Sequence, residues 1–278
     1  MAGSLILVPT PIGNLGDISP RASEVLAQAD FIAAEDTRVT LRLLNHLGLK
    51  KCLVSYHEHN KLKSGPQILR RISDGETCAL VTDAGTPAIS DPGEDLVRMC
   101  AEAGITVTAI PGPCAAITAL AVSGLPTDRF TFEGFLPSQK KQRRARLAAI
   151  ALEEKTMILY EAPHRLLATL EELTEAMGPD RRITLCRELT KLHEEVIRTT
   201  LGQAAAHYGT SQPRGEFVLI LAGAPAREPA QVSREDCMEE IRRLRREGAS
   251  LKDAVRQVSR DLGIPRNALY EEALSLGL

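Results

Sequence analysis

Tryptophan is absent from this 278-residue chain, and all aromatic residues together make up only 3% of it. A module that binds single-stranded RNA by stacking bases on aromatic side chains needs more of them, so that class is not expected. Lys and Arg (34) nearly balance Asp and Glu (36), and the net charge of −2 excludes a uniformly basic, histone-like protein. A local basic patch can still bind nucleic acid.

Long apolar runs are also missing. None approaches the ~20 residues that a membrane-spanning helix needs, so we expect no membrane partner. The N-terminal stretch MAGSLILVPTP has no basic segment before its apolar residues, and it is not predicted to be a signal peptide. The six cysteines include no CxxC pair, which favours buried, reduced thiols over disulfides or zinc. We predict a cytoplasmic protein without a bound metal.

What the sequence does contain, over residues 1–116, is an alternation of strand-like and helix-like segments. Apolar runs such as LILVP (5–9) and TCALVTD (77–83) alternate with amphipathic segments such as SPRASEVLAQAD (19–30). This alternation predicts βαβ units and a parallel sheet, with the loops that follow the strands at one edge. We therefore predict an N-terminal α/β domain over residues 1–116.

The pattern changes after CAAITALAVSGLP (114–126), which predicts a helix of small residues. Strand-like segments separated by helices predict a mixed sheet, and two of them, 181–189 and 194–201, are close enough to form a hairpin. We assign residues 117–224 to a second α/β domain that completes a ligand cleft. Residues 224–231 are rich in Pro and Ala and predict a linker, and residues 232–278 predict a small helical domain that ends in a helix-turn-helix.

Three turns between strands and helices are unusual: PTPIGNLGD (9–17), DAGTPAISDPG (83–93) and PGPCAA (111–116). None fits the glycine-rich motifs that bind dinucleotides or nucleoside triphosphates. They contain no Lys or Arg, and their prolines donate no backbone N–H, so they favour a neutral or cationic ligand over a phosphate. S-adenosylmethionine, with a sulfonium and an ammonium group, is one such ligand. Turns that merely connect elements are the alternative.

Several segments resemble the tetrapyrrole-methylase superfamily and, within it, the ribosomal RNA small subunit methyltransferase I family. The resemblance is carried by VPTPIGNLGDIS (8–19), AAEDTRVTLRLL (33–44), SYHEHN (55–60), LVTDAGTPAISDPG (80–93), IPGPCAAITALAVSGLP (110–126), FEGFLP (132–137), YEAPHR (160–165), CRELTKLHEE (186–195) and GEFVLIL (215–221). The small-molecule branch typically has GTP-G-D in one loop. This chain has Gly85-Thr86-Pro87-Ala88 there, which favours the RNA branch.

The resemblance implies a two-domain methyltransferase that binds S-adenosylmethionine between its domains. It further implies a homodimer that 2′-O-methylates a cytidine in the decoding region of 16S ribosomal RNA, in the small ribosomal subunit. The cofactor contacts that it implies are Pro9, Asp83, Ala84, Gly85, Thr86, Pro87, Ile89, Ala115, Ala116, Phe132, Gly215, Glu216 and Phe217.

Transfer to a ribose oxygen requires an in-line approach and removal of a weakly acidic proton. Candidates for a base or a stabilising cation lie at predicted strand ends: Glu35, Asp36, His57, Glu58, Glu161, His164, Arg165, Glu188 and Lys191. We predict Glu161 or Asp36 as the proton acceptor and Arg165 as a clamp for phosphate or substrate. An ordinary surface or ion-paired role is the alternative for each.

The segment SQKKQRRARL (138–147) follows FEGFLP and concentrates positive charge. We predict RNA phosphate contacts from its basic residues, Lys140, Lys141, Arg143, Arg144 and Arg146. A solvated helix face is the alternative. The C-terminal segment has a second patch, RRLRR (242–246), but it balances nine basic against nine acidic residues. It is therefore predicted to position RNA or support a dimer rather than to read a duplex.

Two other functions remain open from the sequence. A small-molecule tetrapyrrole methyltransferase would share the chemistry but needs neither the basic segment nor the C-terminal helices. A non-enzymatic nucleic-acid-binding regulator would leave the three proline-rich turns without a purpose. Cofactor binding distinguishes the regulator from the two enzymes, and dependence on RNA distinguishes the enzymes from each other.

Overall fold

The computed structural model describes residues 3–225, 234–262 and 264–278. The chain divides into two compact units, Met1–Ala224 and Pro225–Leu278. The predicted linker, residues 224–231, lies largely outside the described residues.

The first sheet of the larger unit is entirely parallel, as the alternation predicts. Its strands are β1 (Ser4–Leu7), β2 (Phe31–Ala34), β3 (Cys52–Ser55), β4 (Thr77–Val81) and β5 (Thr106–Ala109). They pair in the order β3-β2-β4-β1-β5. The connecting helices are α1 (Pro20–Gln28), α2 (Thr37–His46), α3 (Lys61–Ser73) and α4 (Gly93–Glu102).

Both faces of the sheet are buried at its inner strands β2 and β4, which explains why these two strands are mostly apolar. Leu5, Phe31 and Leu80 contribute to the core on one face. Their neighbours Ile32 and Val81 contribute to the core on the other. This alternation follows from the two-residue period of a strand.

The second sheet is mixed, which was also predicted. Its strands are β6 (Phe130–Phe135), β7 (Thr156–Glu161), β8 (Arg182–Arg187), β9 (Glu195–Thr200) and β10 (Phe217–Leu221), and their order is β6-β7-β10-β8-β9. Only β6 and β7 pair in parallel, and β8 and β9 form the predicted hairpin. Its helices are α5 (Ala115–Ser123), α6 (Lys140–Ala151), α7 (Pro163–Met177) and α8 (Leu201–Thr210).

Helix α8 was not predicted from the sequence. Its sequence, LGQAAAHYGT, contains two glycines, which lower intrinsic helix propensity. Tertiary packing forms the helix nevertheless, because Leu201, Ala204 and Tyr208 are buried on one side of it in the core of the second sheet. The side chain of Thr200 caps its N-terminus.

Helix α5 covers the other face of the second sheet. Its small residues Ala116 and Ala119 lie in one apolar cluster with Ile158 and Val218. Ile12, from the first proline-rich turn, joins the same cluster. The domain boundary proposed at residue 116 therefore falls inside a helix that packs as a whole on the second sheet.

The smaller unit consists of α9 (Arg234–Arg246), α10 (Leu251–Leu262) and α11 (Arg266–Ser275). It has its own apolar core, to which Met238, Ile241 and Val255 contribute. Among the residues described here, no helix combines the length and the apolar character needed to cross a membrane.

Candidate active site

The three proline-rich turns meet at one edge of the first sheet, as the sequence predicted. Thr10 and Gly85 exchange two backbone hydrogen bonds of 3.0 Å, which join the first turn to the second. The hydroxyl of Thr86 donates to the carbonyl oxygen of Pro113 at 2.9 Å and joins the second turn to the third. The turns therefore form one bonded surface rather than three separate connections.

Glycine makes this close approach possible at two positions. A Cβ atom on Gly112 would lie 2.7 Å from the Cβ of Pro9, which is too close for two carbon atoms. Gly85 has a φ of +89°, a conformation that side-chain-bearing residues rarely adopt.

A cleft of about 460 Å³ opens between this edge and the second sheet. That volume lies within the range of ordinary small-molecule sites. The first sheet and its turns contribute Ile12, Glu35, Thr82, Asp83, Ala84, Ile89, Ser90, Asp91 and Ala115. The second sheet contributes Phe135, Tyr160, Glu161, Ala162, Pro163, Cys186, Leu189, Glu216, Phe217 and Val218.

The cleft is strongly acidic. Its lining includes the carboxylates Glu35, Asp83, Asp91, Glu161 and Glu216, and no Lys or Arg among the residues the structure describes. Burial and the neighbouring charge of Glu35 raise the pKa values of Asp83 and Asp91. Such a site attracts a cation and repels a phosphate.

Asp91 shapes the loop that borders the cleft. Its Oδ1 accepts hydrogen bonds from the backbone N–H groups of Ala88 (2.9 Å) and Gly93 (2.7 Å). Ala88 and Ser90 have positive φ values of 68° and 64°, and these bonds help to hold that strained backbone. The Oδ2 of Asp91 is buried and has no hydrogen-bond partner among the described residues.

Aromatic and aliphatic groups form the opposite side of the cleft. The ring of Tyr160 makes edge contacts with Phe132 and Phe135, at centroid distances of 5.3 and 5.6 Å. Burial raises the pKa of Tyr160 to about 12 and that of the Cys186 thiol to about 11, so both remain neutral near pH 7. The cleft thus combines an acidic side with an apolar one.

The predicted cofactor contacts divide into two groups. Six line the cleft: Asp83, Ala84, Ile89, Ala115, Glu216 and Phe217. Seven do not: Pro9, Gly85, Thr86, Pro87, Ala116, Phe132 and Gly215. Asp91 and Tyr160 also line the cleft, although neither is a predicted site residue. Asp91 lies in a quoted turn and Tyr160 near a predicted strand end.

Asp36 does not line the cleft. It caps α2, accepting from the backbone N–H of Arg38 at 2.8 Å, and forms an ion pair with the Arg38 side chain. These hydrogen bonds lower the pKa of Asp36 to about 2. A carboxylate with so low a pKa is a poor base, which argues against Asp36 as the proton acceptor.

Glu161 lines the cleft, but its side chain is buried and both oxygens have partners. Oε1 accepts from the backbone N–H of Ala162 at 2.9 Å, and Oε2 accepts from the hydroxyl of Thr169 at 2.5 Å. Arg165 donates to the carbonyl oxygen of Leu136 at 3.0 Å and does not line the cleft. These contacts argue against Glu161 as a free base and Arg165 as a free clamp.

Glu188 and Lys191 form a structural cluster beside the cleft. Oε1 of Glu188 accepts from Nζ of Lys191 and from the backbone N–H of Glu216, both at 2.9 Å. Burial opposes ionisation of Glu188, but these two donors prevail and lower its pKa. The other catalytic candidates, His57, Glu58 and His164, do not line the cleft.

The basic segment forms α6, and its charges differ in environment. Lys140, Lys141 and Arg144 are exposed, and Arg146 forms an ion pair with Glu133. Arg143, predicted to contact phosphate, is only 8% exposed.

The position of Arg143 on α6 explains its burial. Together with Leu147 and Ile150 it forms the inward stripe of the helix, at the spacing i, i+4, i+7. Its guanidinium donates hydrogen bonds to Oε2 of Glu172 through Nε and to the hydroxyl of Thr169 through Nη2. The predicted phosphate contact of Arg143 is therefore wrong.

A larger cleft of about 730 Å³ lies at the other end of the second sheet. Thr156, the first residue of β7, and Arg182, the first of β8, line it, whereas the acidic cleft lies where these strands end. It is remote from the three turns, so size alone does not identify the functional site.

Comparison with known proteins first defines the class. Residues 4–205 match the family model described as Tetrapyrrole (Corrin/Porphyrin) Methylases. Uroporphyrin-III-C-methyltransferase from Thermus thermophilus has a similar fold, with a TM-score of 0.56, 20% identity, and coverage of 79% of this chain and 94% of that one. A cobalt precorrin-4 methyltransferase gives a TM-score of 0.59 at 17% identity, with coverage of 79% and 94%.

Closer relatives define the particular family. Ribosomal RNA small subunit methyltransferase I of Synechocystis is 48% identical over 99% of this chain and 98% of that protein. The protein of the same name from Escherichia coli O157:H7 is 47% identical over 98% and 95%. Residues 232–277 match the family model described as "RsmI C-terminal HTH domain". The chain belongs to the ribosomal RNA small subunit methyltransferase I family of tetrapyrrole methylases.

The turn at Gly215 provides a stability test of the site. Gly215 has a φ of +87°, and a Cβ there would lie 2.6 Å from Cγ of Glu188. We expect Gly215→Ala to lower the free energy of unfolding by at least about 1 kcal/mol more than Gly104→Ala, because overpacking adds to backbone strain. Gly104 is the matched control, since its φ is +70° and a Cβ there would meet open space. Denaturant unfolding measures both, and equal losses would contradict the close approach.

Proposed function

We propose that this protein transfers a methyl group from S-adenosylmethionine to the 2′-oxygen of a cytidine in the decoding region of 16S ribosomal RNA. The observation that carries the proposal is the acidic cleft at the proline-rich edge. The family relatives, named for ribosomal RNA methylation, support the RNA substrate. A uroporphyrin-III C-methyltransferase of the same fold, solved with S-adenosyl homocysteine, supports the cofactor.

The cleft has the donor and acceptor chemistry that S-adenosylmethionine requires. Carboxylates of Asp83 and Asp91 suit a ligand with a sulfonium and an ammonium group, and the unpartnered Oδ2 of Asp91 can accept a hydrogen bond. Ala84 and Ala115 leave room for a nucleoside, and Phe217 provides apolar surface. When bound, the cofactor supplies an activated methyl group.

The residues of the protein must orient the ribose and accept the proton of its 2′-hydroxyl group. Asp36 and Glu161 are poorly suited to receive it for the reasons given above. Asp91 is better placed, because it lines the cleft, has one oxygen without a partner and has a pKa raised by burial. We therefore propose Asp91 as either the ammonium contact or the proton acceptor.

The RNA is proposed to bind along α6. Phe135, the last residue of β6, lines the cleft, and α6 begins five residues later at Lys140. Lys140, Lys141 and Arg144 are thus exposed close in sequence to the mouth of the cleft. Their charge compensates for the acidic interior, which by itself would repel RNA.

We further propose a homodimer that acts in the cytoplasm. Strand β6 is an edge strand of the second sheet. It exposes the side chains of Phe130 and Phe132, which are 40% and 38% accessible. Edge strands with large exposed apolar side chains are typical sites of protein association.

The function is tested with methyl-labelled S-adenosylmethionine and small ribosomal subunits from cells that lack this protein. We expect label on a single cytidine, whose 2′-O-methyl group makes the bond on its 3′ side resistant to alkaline cleavage. Naked 16S RNA and a tetrapyrrole precursor are tested in parallel as alternative acceptors. Tight cofactor binding with no label on ribosomal RNA would overturn the proposal, and label on the tetrapyrrole would replace it.

Charge reversal on α6 tests the RNA surface. We expect Lys140→Glu combined with Arg144→Glu to weaken RNA binding at least tenfold at low salt, because two phosphate contacts become repulsive. Cofactor affinity, measured by calorimetry, should not change. Lys63→Glu combined with Arg70→Glu is the matched control, since both residues are exposed on α3 and the charge change is the same. Equal weakening by both pairs would show a non-specific effect of net charge.

Cofactor affinity is also expected to depend on pH. Burial raises the pKa values of Asp83 and Asp91, so they gain protons above the ordinary aspartate value of about 3.9. Protonation removes the charge that attracts the cofactor, so the dissociation constant should increase as the pH is lowered from neutral toward the ordinary aspartate range.

Two variants test whether Asp91 is responsible for the pH dependence of cofactor affinity. Asp91→Asn should weaken cofactor binding about tenfold at pH 6.5 and flatten the pH dependence. Asp74→Asn, at an exposed position after α3, should change neither. An unchanged pH profile in Asp91→Asn would remove Asp91 from the site.

A further inference from the structure

A buried chain of hydrogen bonds connects the basic helix with the wall of the cleft. Nη2 of Arg143, on α6, donates to the hydroxyl of Thr169, on α7, at 2.7 Å. That hydroxyl donates to Oε2 of Glu161 at 2.5 Å. Glu161 in turn lines the cleft. Thr169 is completely buried, and the side chain of Glu161 is 1% exposed.

The direction of these bonds is fixed by the groups themselves. Arginine can only donate, so the Thr169 hydroxyl must accept from Arg143 and point its single proton at Glu161. The other oxygen of Glu161 accepts from the backbone N–H of Ala162. The carboxylate is thereby held in one orientation at the cleft wall.

A second set of contacts connects Glu161 with the turn that precedes the basic helix. Nε of Arg165 lies 3.5 Å from Oε1 of Glu161. Nη2 of the same guanidinium donates to the carbonyl oxygen of Leu136 at 3.0 Å, just after β6. Arg165 and Thr169 are four residues apart and so lie on one face of α7. Glu161 is thus connected to α6 through Arg143 and to the entry of α6 through Arg165.

Stability alone does not explain this arrangement. Burying charged groups is costly, and well-packed apolar residues are often at least as stabilising in such positions. Nη1 of Arg143 is even left without a hydrogen-bond partner among the described residues. The hydrogen-bond network fixes the orientation of Glu161 and Arg165, which apolar packing would not do.

We propose that Thr169 and Arg143 are positioning residues for methyl transfer, although neither lines the cleft. They hold the cleft wall at Glu161 and the turn of residues 136–139 in a fixed relation to α6. This inference rests on the proposed function, because it assumes that RNA bound along α6 must present its ribose to the cleft. Small errors in such positioning reduce rates strongly.

Thr169→Val is the sharpest test, since it removes the hydroxyl and preserves the shape of the side chain. We expect kcat/KM for small-subunit RNA to fall by about tenfold to a hundredfold. The dissociation constant for S-adenosylmethionine should stay within about twofold, because the acidic residues of the first sheet are unaffected. Rates are expressed per cofactor-binding site, so that partial unfolding does not count as lost activity.

Two control variants separate positioning from stability. Thr169→Ser keeps the hydroxyl and should restore most of the lost kcat/KM. Thr174→Val removes a hydroxyl from the same helix, but that hydroxyl bonds only to the Leu170 carbonyl within α7, so the rate should be unchanged. If Thr169→Val lowers the melting temperature but leaves kcat/KM per site at the wild-type value, the residue is merely structural and the proposal is overturned.

Hydrogen exchange keeps this test independent of the activity. If the wild-type protein methylates no ribosomal RNA, the proposed function fails. The hydrogen-bond network of Arg143, Thr169 and Glu161 is then tested by amide hydrogen exchange in residues 136–141. Faster exchange there in Thr169→Val than in Thr174→Val supports the conclusion that the network holds this segment in place. Equal exchange in the two variants refutes it.

Discussion

The backbone pairing of Thr10 with Gly85 is the interaction on which the site depends. It closes the edge of the first sheet by bonding two turns that are 75 residues apart in sequence, and Thr86 extends the bonding to the third turn. Prolines stiffen these turns, and glycines allow their backbones to approach. The result is a rigid wall, against which the second sheet completes the cleft.

The electrostatics of the protein follow from a separation of charge. Acidic side chains line the cleft, while the exposed basic residues of α6 follow the strand that borders it. A small cation and a polyanion can therefore bind to adjacent regions without competing. Such a separation suits the proposed reaction, in which a sulfonium cofactor meets a nucleic acid.

Much of the architecture was predictable, because it depends on local pattern. The alternation of apolar runs and amphipathic helices predicted the parallel sheet, and the short connection between β8 and β9 predicted their hairpin. The quoted motifs predicted the family. Helix α8 escaped prediction, since Leu201, Ala204 and Tyr208 form a helical face only when the second sheet is present to bury it.

The roles of individual charged residues were far less predictable. Asp36 and Glu161 are equally plausible bases in the sequence, yet Arg38 pairs with the first and Thr169 holds the second. Arg143 lies in a basic run, but the spacing of Leu147 and Ile150 turns it inward. The sequence by itself determined the strands, the turns and the family, because these follow from residue order. Only the tertiary structure decided which carboxylates line the cleft and which charges are already paired, since these depend on partners far away in the chain.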